Sequence, residues 1–343
     1  MHYTNKYTLL FILLGLALAA LFLINISLGS VNIPIKEVMY SLTGNEASKE
    51  TWEYIILNYR LPKAITAVIV GAALSIGGLL MQTLFRNSLA GPDVLGLSAG
   101  ASLMVAIVIL GTGIVTTVST FFTSAYGLVL ASILGSFMVL LAVLAVAQKL
   151  KDTMAILIVG LMFGSFAGAI VGVLTYFSTA EQLQKYTFWA LGSLGNLSWE
   201  NIMILALAAL TGLFTAIACI KPLNAMLLGE RYARSLGINF TKTRFIIILA
   251  TSILTGCVTA FAGPIAFIGL AVPHIAKLLF KTSSHMVLFW ATLLTGGLIM
   301  LICDTVTQLP GNGYILPINA ITSIIGAPIV IWLLFRKKKG VFS

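Results

Sequence analysis

The chain has 343 residues, of which 59% are hydrophobic and only 9% are charged, and its mean hydropathy is +1.06. Soluble domains carry about 25% charged residues, so this composition excludes a water-soluble globule. The net charge of +10 comes from basic residues that stand singly between apolar runs or cluster at the C-terminus. Nucleic-acid-binding proteins present basic residues along one solvated face, so we expect no nucleic-acid partner.

Apolar stretches of about 20 residues, the length that crosses a bilayer as a helix, recur along the whole chain. We therefore expect an all-α polytopic membrane protein in which residues 1–343 form one transmembrane domain within the lipid bilayer. The expected spans, ten in number, are 8–28, 64–85, 95–112, 127–147, 154–178, 202–220, 245–262, a short helix ending near 281, 286–303 and 315–335. Polar loops are expected at 29–60, with a short amphipathic piece at 35–42, and at 179–199.

Ten spans place both termini on one side of the membrane, and the cluster 336–339, Arg-Lys-Lys-Lys, marks that side as cytoplasmic. With this topology the cytoplasmic segments hold 15 of the 20 basic residues but only three of the ten acidic ones. A miscounted span would remove this asymmetry. The charge distribution therefore predicts a multi-pass protein with both termini in the cytoplasm.

Two turns share the sequence Ala-Gly-Pro, at 90–92 after the second span and at 262–264 after the seventh. Because an odd number of spans separates them, the two turns face opposite sides of the membrane. Opposite orientation is a property of an inverted repeat, and segments interrupted by Gly and Pro at matching positions indicate the transport pathway. The sequence therefore predicts a duplicated transporter.

The fifth span carries glycines four residues apart, at Gly160, Gly164, Gly168 and Gly172. This spacing places them on one stripe of the helix, where another helix backbone can approach closely. Two interpretations are open, namely packing inside the bundle, and a subunit seam or pathway wall. Ser165 on the same helix is assigned to the pathway.

Residues 221–244 form the longest charged segment on the predicted cytoplasmic side. Within it, Leu228, Tyr232 and Leu236 repeat every four residues, which predicts a short helix with an apolar stripe. Such a helix fits a groove on a cytoplasmic partner. The alternative is an interfacial helix that rests on lipid, and both interpretations are open.

The spans hold almost no ionisable residues, whereas ion- and proton-coupled transporters use such residues inside the bilayer. The chain also lacks G-x-x-x-x-G-K-[ST], the loop that cradles ATP phosphates. We therefore expect no cofactor, catalytic residue or metal site in this chain, and a separate partner that binds ATP-Mg. The alternative is a stand-alone secondary transporter or channel with inverted repeats.

Residues 82–101, Q-T-L-F-R-N-S-L-A-G-P-D-V-L-G-L-S-A-G-A, resemble the signature of the permease family that imports iron-siderophores, haem and cobalamin through ABC transporters. Further matches follow the family's order, at 60–63, 228–237, 262–275 and 325–328. The resemblance implies ten helices, with helices 2–5 and 7–10 related by inversion, in a bacterial inner membrane. It also implies a second permease subunit (a homodimer), two cytoplasmic ATPase subunits and an external substrate-binding protein.

The resemblance also assigns roles to particular residues. The helix that couples to the ATPase would contain Leu228, Gly229, Glu230, Arg231, Ala233, Arg234, Leu236 and Gly237. The cytoplasmic gate would contain Asn87, Ser88, Leu89, Asp152 and Thr153. Arg60 and Lys63 would pair with acidic residues of the binding protein, or be ordinary flanking charges. Because Gln308 and Ile315 stand where the family commonly has an arginine and a glutamate, docking would rest more on Arg60 and Lys63 or use different pairs.

Overall fold

The computed structural model describes residues 2–29, 31–45, 47–111, 124–149, 153–195, 197–308 and 315–339. Every regular element in these ranges is helical, which confirms the all-α prediction. In chain order the helices are α1 (His2–Ser27), α2 (Ile35–Leu42), α3 (Glu50–Ile55), α4 (Leu61–Leu84), α5 (Leu97–Leu110), α6 (Ala125–Lys149), α7 (Thr153–Tyr176), α8 (Ala180–Ala190), α9 (Trp199–Ala218), α10 (Ile220–Leu227), α11 (Glu230–Ser235), α12 (Phe240–Ala262), α13 (Ile268–Phe280), α14 (His285–Thr307) and α15 (Ile318–Lys339).

Within the described ranges, seven helices are long and apolar enough to cross a membrane, so the chain is a polytopic membrane protein. They are Tyr7–Ser27, Glu50–Leu84, Tyr126–Val146, Met154–Tyr176, Trp199–Ala218, Phe240–Ala262 and His285–Thr307. Three further apolar helices are shorter, namely Leu97–Leu110, Ile268–Phe280 and Ile318–Trp332. Each expected span overlaps one of these helices, but three of them are shorter than a full span, so the count of ten stays a prediction.

Helix α4 forms the centre of the bundle. In the continuous helix Glu50–Leu84, of which α4 is the main part, 83% of the most apolar 18-residue stretch is buried. Glycine faces glycine where helices cross, at Gly71–Gly296, Gly78–Gly269 and Gly100–Gly135. A Cβ atom on Gly71 would overlap the backbone carbonyl of Gly296, so these backbones lie in direct contact. Lipid supplies no hydrophobic drive for helix association, and close backbone packing at small residues takes its place. Glycine therefore sets the spacing between α4 and the helices around it.

The contacts between helix ends divide the bundle into two faces. At one, the turn after α4 meets α10, and Tyr7 near the start of α1 stacks on Phe280 at the end of α13. We call this the elbow face, after the elbow, residues 85–96, which joins α4 to α5. At the far face, the start of α4 meets the ends of α1 and α14. The second Ala-Gly-Pro turn also lies at the far face, since Ser193 donates to the carbonyl of Ala262 there.

Two predicted loops contain more helix than the sequence indicated. Residues 50–60 continue through α3 and a π-helical turn, Ile56–Arg60, into α4, which gives one helix from Glu50 to Leu84. No Gly or Pro interrupts 50–60, and its apolar side chains pack against the core, so nothing ends the helix there. The expected loop over 179–199 was wrong because it includes α8.

Helix α8 begins at a capping box that the loop prediction missed. The Thr179 hydroxyl accepts from the backbone N–H of Gln182, and the Gln182 side chain accepts from the backbone N–H of Thr179. This reciprocal pair satisfies two N–H groups that a helix start leaves without partners. A Thr followed three residues later by Gln is a helix-start signal visible in the sequence.

Candidate functional site

The elbow is a tight turn that brings three predicted gate residues together. Arg86 adopts a left-handed backbone with φ of 47°, and the Asn87 side chain accepts from the backbone N–H of Leu89 at 2.9 Å. The carbonyl of Ser88 accepts a hydrogen bond from the His274 ring at 2.7 Å, which ties the turn to α13. Leu89 is 42% exposed. Of the other two predicted gate residues, Thr153 begins α7 and Asp152 lies outside the described residues.

The elbow packs directly against the glycine stripe of α7. A Cβ atom on Gly96, which has φ of 74°, would lie 2.8 Å from the carbonyl oxygen of Gly160 and 3.3 Å from the nitrogen of Gly164. Gly168 and Gly172 are exposed, and a Cβ atom on either would meet nothing within 4 Å. The stripe thus has two parts, of which only the first shows the packing interpretation, and a subunit seam or pathway wall stays a prediction. One half packs inside the bundle, and the other half is an open surface that Ser165 also borders.

The predicted coupling helix over 228–237 is shorter than expected and consists of α11. Gly229 has φ of 110° and Gly237 has φ of 80°, conformations that side chains disfavour, so glycine bounds α11 at both ends. The apolar stripe is exposed, with Leu228 at 65%, Tyr232 at 51% and Leu236 at 57%. In contrast, Ala233 is fully buried and anchors the helix to the bundle. Three large apolar side chains thus face outward on the elbow face.

Other residues assigned to this segment lie on or beside α11. Glu230 and Arg231 form its first turn, and Arg234 is exposed in its last turn. The coupling role of the segment remains a prediction. Its position next to α10 matters because α10 contacts the end of α4.

Arg60 and Lys63 both lie at the far face, where each side chain already has polar partners within the chain. The Arg60 guanidinium donates to the carbonyls of Ile26 and Ser27, at 2.8 Å each, and to the carbonyl of Val31. It thereby satisfies carbonyls that the end of α1 leaves without helical partners. Lys63 forms an ion pair with Asp304 at 2.9 Å. Docking of a binding protein on these two residues therefore stays a prediction, with fewer free charges than their sequence positions indicated.

A cavity of about 690 Å³ opens beside these two residues at the far face. Its walls come from the starts of α4 and α15 and from the ends of α8 and α14, and they include Arg60, Lys63, Phe188, Gln308 and Ile315. Gln308 and Ile315, where the resemblance led us to expect charges, thus share a wall with the two predicted docking residues.

The sequence did not predict that Asp304 is buried and has three side-chain partners. This carboxylate is 1% exposed and accepts from the side chains of Asn25 at 2.9 Å and Gln308 at 3.0 Å, in addition to its ion pair with Lys63. The cluster joins α1, α4 and α14. An ionisable residue inside an apolar run usually has a partner, so the position of Asp304 in the sequence indicates a buried polar contact. The sequence does not identify Lys63 as that partner.

The second Ala-Gly-Pro turn packs against the end of α8 and the start of α15. Gly263 has φ of 77°, and a Cβ atom on it would lie 2.7 Å from the carbonyl oxygen of Trp189. The side-chain oxygen of Asn319 accepts from the backbone N–H of Ala266 at 3.1 Å, while the backbone N–H of Asn319 donates to the carbonyl of Leu191 at 3.2 Å. The two Ala-Gly-Pro turns therefore contact the α7–α8 segment at opposite faces.

Comparison with known proteins agrees with this architecture. The model of the FecCD transport family matches residues 17–336. The hemin transport system permease protein HmuU of Yersinia pestis is 31% identical over 331 residues, which cover 95% of this chain and 96% of that protein. The vitamin B12 import system permease protein BtuC of Klebsiella pneumoniae is 34% identical over 287 residues, covering 83% of this chain and 84% of that protein.

A solved structure agrees as well. A metal-chelate type ABC transporter in an inward-facing conformation superposes with a TM-score of 0.83 at 27% identity, covering 95% of this chain and 99% of that one. The match to the family model and the relatives above 30% identity both extend over most of the sequence. The chain therefore belongs to the FecCD transport family and is a membrane permease.

Proposed function

We propose that this permease is the membrane subunit of an ATP-driven ABC importer that carries a metal chelate into the cytoplasm. The chelate class comprises haem, cobalamin and ferric siderophores. The observation that carries the proposal is similarity over 95% of the chain to a permease for hemin, together with similarity over 83% to one for vitamin B12. ATP hydrolysis belongs to separate partner subunits, and this chain supplies the pathway.

The proposal includes ten spans, a single transmembrane domain and an inverted repeat of helices 2–5 and 7–10. Seven long and three shorter apolar helices support ten spans within the described residues. The two Ala-Gly-Pro turns support the inversion, because one lies in the elbow and the other contacts the opposite face.

In this scheme the elbow face is cytoplasmic. The basic residues of segment 221–244 lie on that face, and basic residues favour the cytoplasmic side of a membrane protein. Both termini would then be cytoplasmic, in a bacterial inner membrane. The far face, with its cavity, would receive an external substrate-binding protein.

The partners follow from the exposed surfaces. Leu228, Tyr232 and Leu236 support docking of a cytoplasmic ATPase subunit on segment 221–244, because an exposed apolar stripe fits a groove. The open half of the glycine stripe, at Gly168 and Gly172, supports a seam with a second copy of the permease. Two ATPase subunits would then serve a homodimer, with the substrate path between the two permeases.

The mechanism is alternating access driven from the cytoplasmic side. ATP binding and hydrolysis in the partner subunits move segment 221–244, and the helices open the axial path to one side at a time. In this chain, Asn87, Ser88 and Leu89 would close the cytoplasmic end, together with the predicted gate residues Asp152 and Thr153. ATP binding can shift the permease between its inward-open and outward-open states only if the two states differ in their contacts with the ATPase subunits. The proposed interface at segment 221–244 would provide that difference.

The test is uptake by the reconstituted complex in vesicles. Radiolabelled haem, cobalamin and a ferric siderophore are offered in competition, with ATP and without it. We expect one of them to accumulate only when ATP and the ATPase subunits are present. Uphill accumulation by the permease alone, or accumulation abolished by an ionophore while ATP remains, would instead identify a stand-alone secondary transporter.

A further inference from the structure

Two polar bridges join the end of α4 to α10, the helix that leads into α11. In the first, Nη2 of Arg86 donates to the carbonyl oxygen of Met226 at 3.0 Å. Met226 is 1% exposed and lies in the last turn of α10, while Arg86 is the residue that immediately precedes the predicted gate turn 87–89. One hydrogen bond thus connects α10 to the backbone that precedes the gate.

The ring of His285, at the start of α14, forms the second bridge. Its Nε2 lies 2.8 Å from the hydroxyl of Thr83 in the last turn of α4. Its Nδ1 lies 3.0 Å from Oδ1 of Asn224 in α10, and the same oxygen accepts the backbone N–H of His285 at 2.8 Å. An amide oxygen only accepts hydrogen bonds, so Nδ1 carries a proton and donates it. The ring is therefore held in one orientation between α4 and α10.

In the first bridge Arg86 is exposed, although Met226, whose carbonyl it meets, is buried, whereas the second bridge is shielded from bulk water. His285 is 2% exposed and Thr83 is 7% exposed. A buried polar group that loses its partner carries the full penalty of its desolvation, so these hydrogen bonds are not readily exchanged for water. A displacement of α10 would therefore draw the end of α4 with it. Apolar packing alone would allow the two helices to slide past each other more easily, because dispersion contacts have no fixed direction.

We propose that Thr83, Arg86, Asn224 and His285, here called the elbow bridge, are positioning residues that transmit movement of α10 and α11 to the gate turn 87–89. This inference rests on the proposed function, because it takes an ATPase subunit as the source of the movement. The elbow bridge contacts neither solute nor nucleotide. It makes the coupling segment and the gate one mechanical unit, although 140 positions separate Arg86 from Met226 in the sequence.

The test measures movement of the gate turn directly and needs no knowledge of the solute. The permease is purified with its ATPase subunits and carries a nitroxide probe at Leu89→Cys. Leu89 is 42% exposed whereas the native cysteines Cys219, Cys257 and Cys303 are buried, so the probe attaches at residue 89. In the parent complex, trapping with ATP and vanadate is expected to change the electron paramagnetic resonance spectrum.

Asn224→Leu and Arg86→Met each remove one bridge while keeping a side chain of similar size. We expect either variant to keep hydrolysing ATP, and the double variant to reduce the ATP-dependent spectral change by about fivefold or more, the low end of typical coupling between sites. Asn224→Asp keeps an acceptor oxygen and is expected to retain the parent response. Thr282→Val is the matched control, since it alters the turn before α14, where Thr282 accepts from the N–H of Ser284.

Three results would overturn the inference. The first is a double variant that hydrolyses ATP and shows the parent spectral change, and the second is an equal loss of that change in Thr282→Val. The third is a parent complex that hydrolyses ATP without any change at the probe. Failure of the proposed function is distinguishable from all three, because no ATPase subunit would co-purify with the parent permease.

Discussion

Nζ of Lys63 lies 2.9 Å from Oδ1 of Asp304, and this ion pair joins the first turn of α4 to the last turns of α14. Asp304 is 1% exposed and the Lys63 side chain 16%, so the pair is largely shielded from water. Removing one member of such a pair leaves an uncompensated charge, whereas replacing both by apolar residues is often tolerated.

Lys63→Met is therefore expected to destabilise the permease, by about 3 kcal/mol if Asp304 stays ionised. The double variant Lys63→Met/Asp304→Leu is expected to regain at least half of that loss. The measurement is the Tm of the purified permease in detergent for all four members of the cycle. A double variant as unstable as the sum of both single changes would show that the two residues do not interact.

The glycine crossings and the open glycines predict opposite effects of the same substitution. Gly71→Ala is expected to abolish or severely reduce folded protein, because its Cβ atom would overlap the carbonyl of Gly296 in α14. Gly172→Ala places a Cβ atom in open space and favours helix by up to about 1 kcal/mol. Folded yield and Tm, compared between the two variants, check this. Equal losses in both would contradict the packing described for α4.

A large side chain in the open half of the glycine stripe should impair dimer formation without lowering the stability of the single subunit. Gly168→Leu is expected to lower the dimeric fraction of the permease while leaving its Tm in dilute detergent unchanged, since no atom lies within 4 Å of the new Cβ. Native mass spectrometry measures that fraction. A variant that dimerises and transports like the parent would exclude Gly168 from the seam, and Gly15→Leu on α1, also open, serves as the control.

If the first turn of α11 contacts the ATPase subunit as proposed, changing its charges should uncouple solute transport from ATP hydrolysis. Charge reversal of Glu230 and Arg231 together is expected to lower solute transported per ATP hydrolysed at least tenfold, about 1.4 kcal/mol of coupling free energy. ATP hydrolysis and solute uptake are measured in the same vesicles. Lys242→Glu, an exposed charge reversal at the start of α12, is the control, and uncoupling by it as well would remove the special role of α11.

The loop after α2 predicts a pH-dependent effect. Ser48 donates its hydroxyl at 2.6 Å and its backbone N–H at 2.8 Å to the Glu37 carboxylate, and these hydrogen bonds hold the pKa of Glu37 below its ordinary value of 4.5. A lowered folded-state pKa stabilises the protein above the unfolded value, and this contribution disappears as the pH falls through the folded value. Ser48→Ala should therefore lower the Tm at pH 7 and have little effect well below pH 4.5. A loss of Tm independent of pH would contradict it.

Features that depend on neighbouring residues in the chain could be predicted from the sequence. Hydropathy is such a property, so each expected span coincides with an apolar helix, and the exposed stripe at Leu228, Tyr232 and Leu236 follows from their spacing. Helix α8 could also have been predicted, because its capping box at Thr179 and Gln182 is local. The prediction of a loop over 179–199 relied on the polar composition of this segment and did not consider the capping box.

Features that depend on contacts across the bundle could not be predicted. Lys63 and Asp304 lie far apart in the chain, and nothing in the sequence selects this pair over other combinations. Likewise, four equally spaced glycines in α7 look equivalent, yet only Gly160 and Gly164 meet the elbow. The difference arises from where Gly96 lies in space, which no spacing rule contains.

The unbroken helix from Glu50 to Leu84 has 35 residues and is about 52 Å long at 1.5 Å per residue. That length exceeds the hydrocarbon thickness of a bilayer, about 30 Å, so one stiff rod projects past the lipid. Arg60 and Lys63 lie on it at the far face, within its first half, and its other end holds Thr83. A displacement of one part of this helix is therefore transmitted to its other end without an intervening loop. In the proposed function, this single helix would therefore connect the face that receives the cargo to the gate turn that releases it.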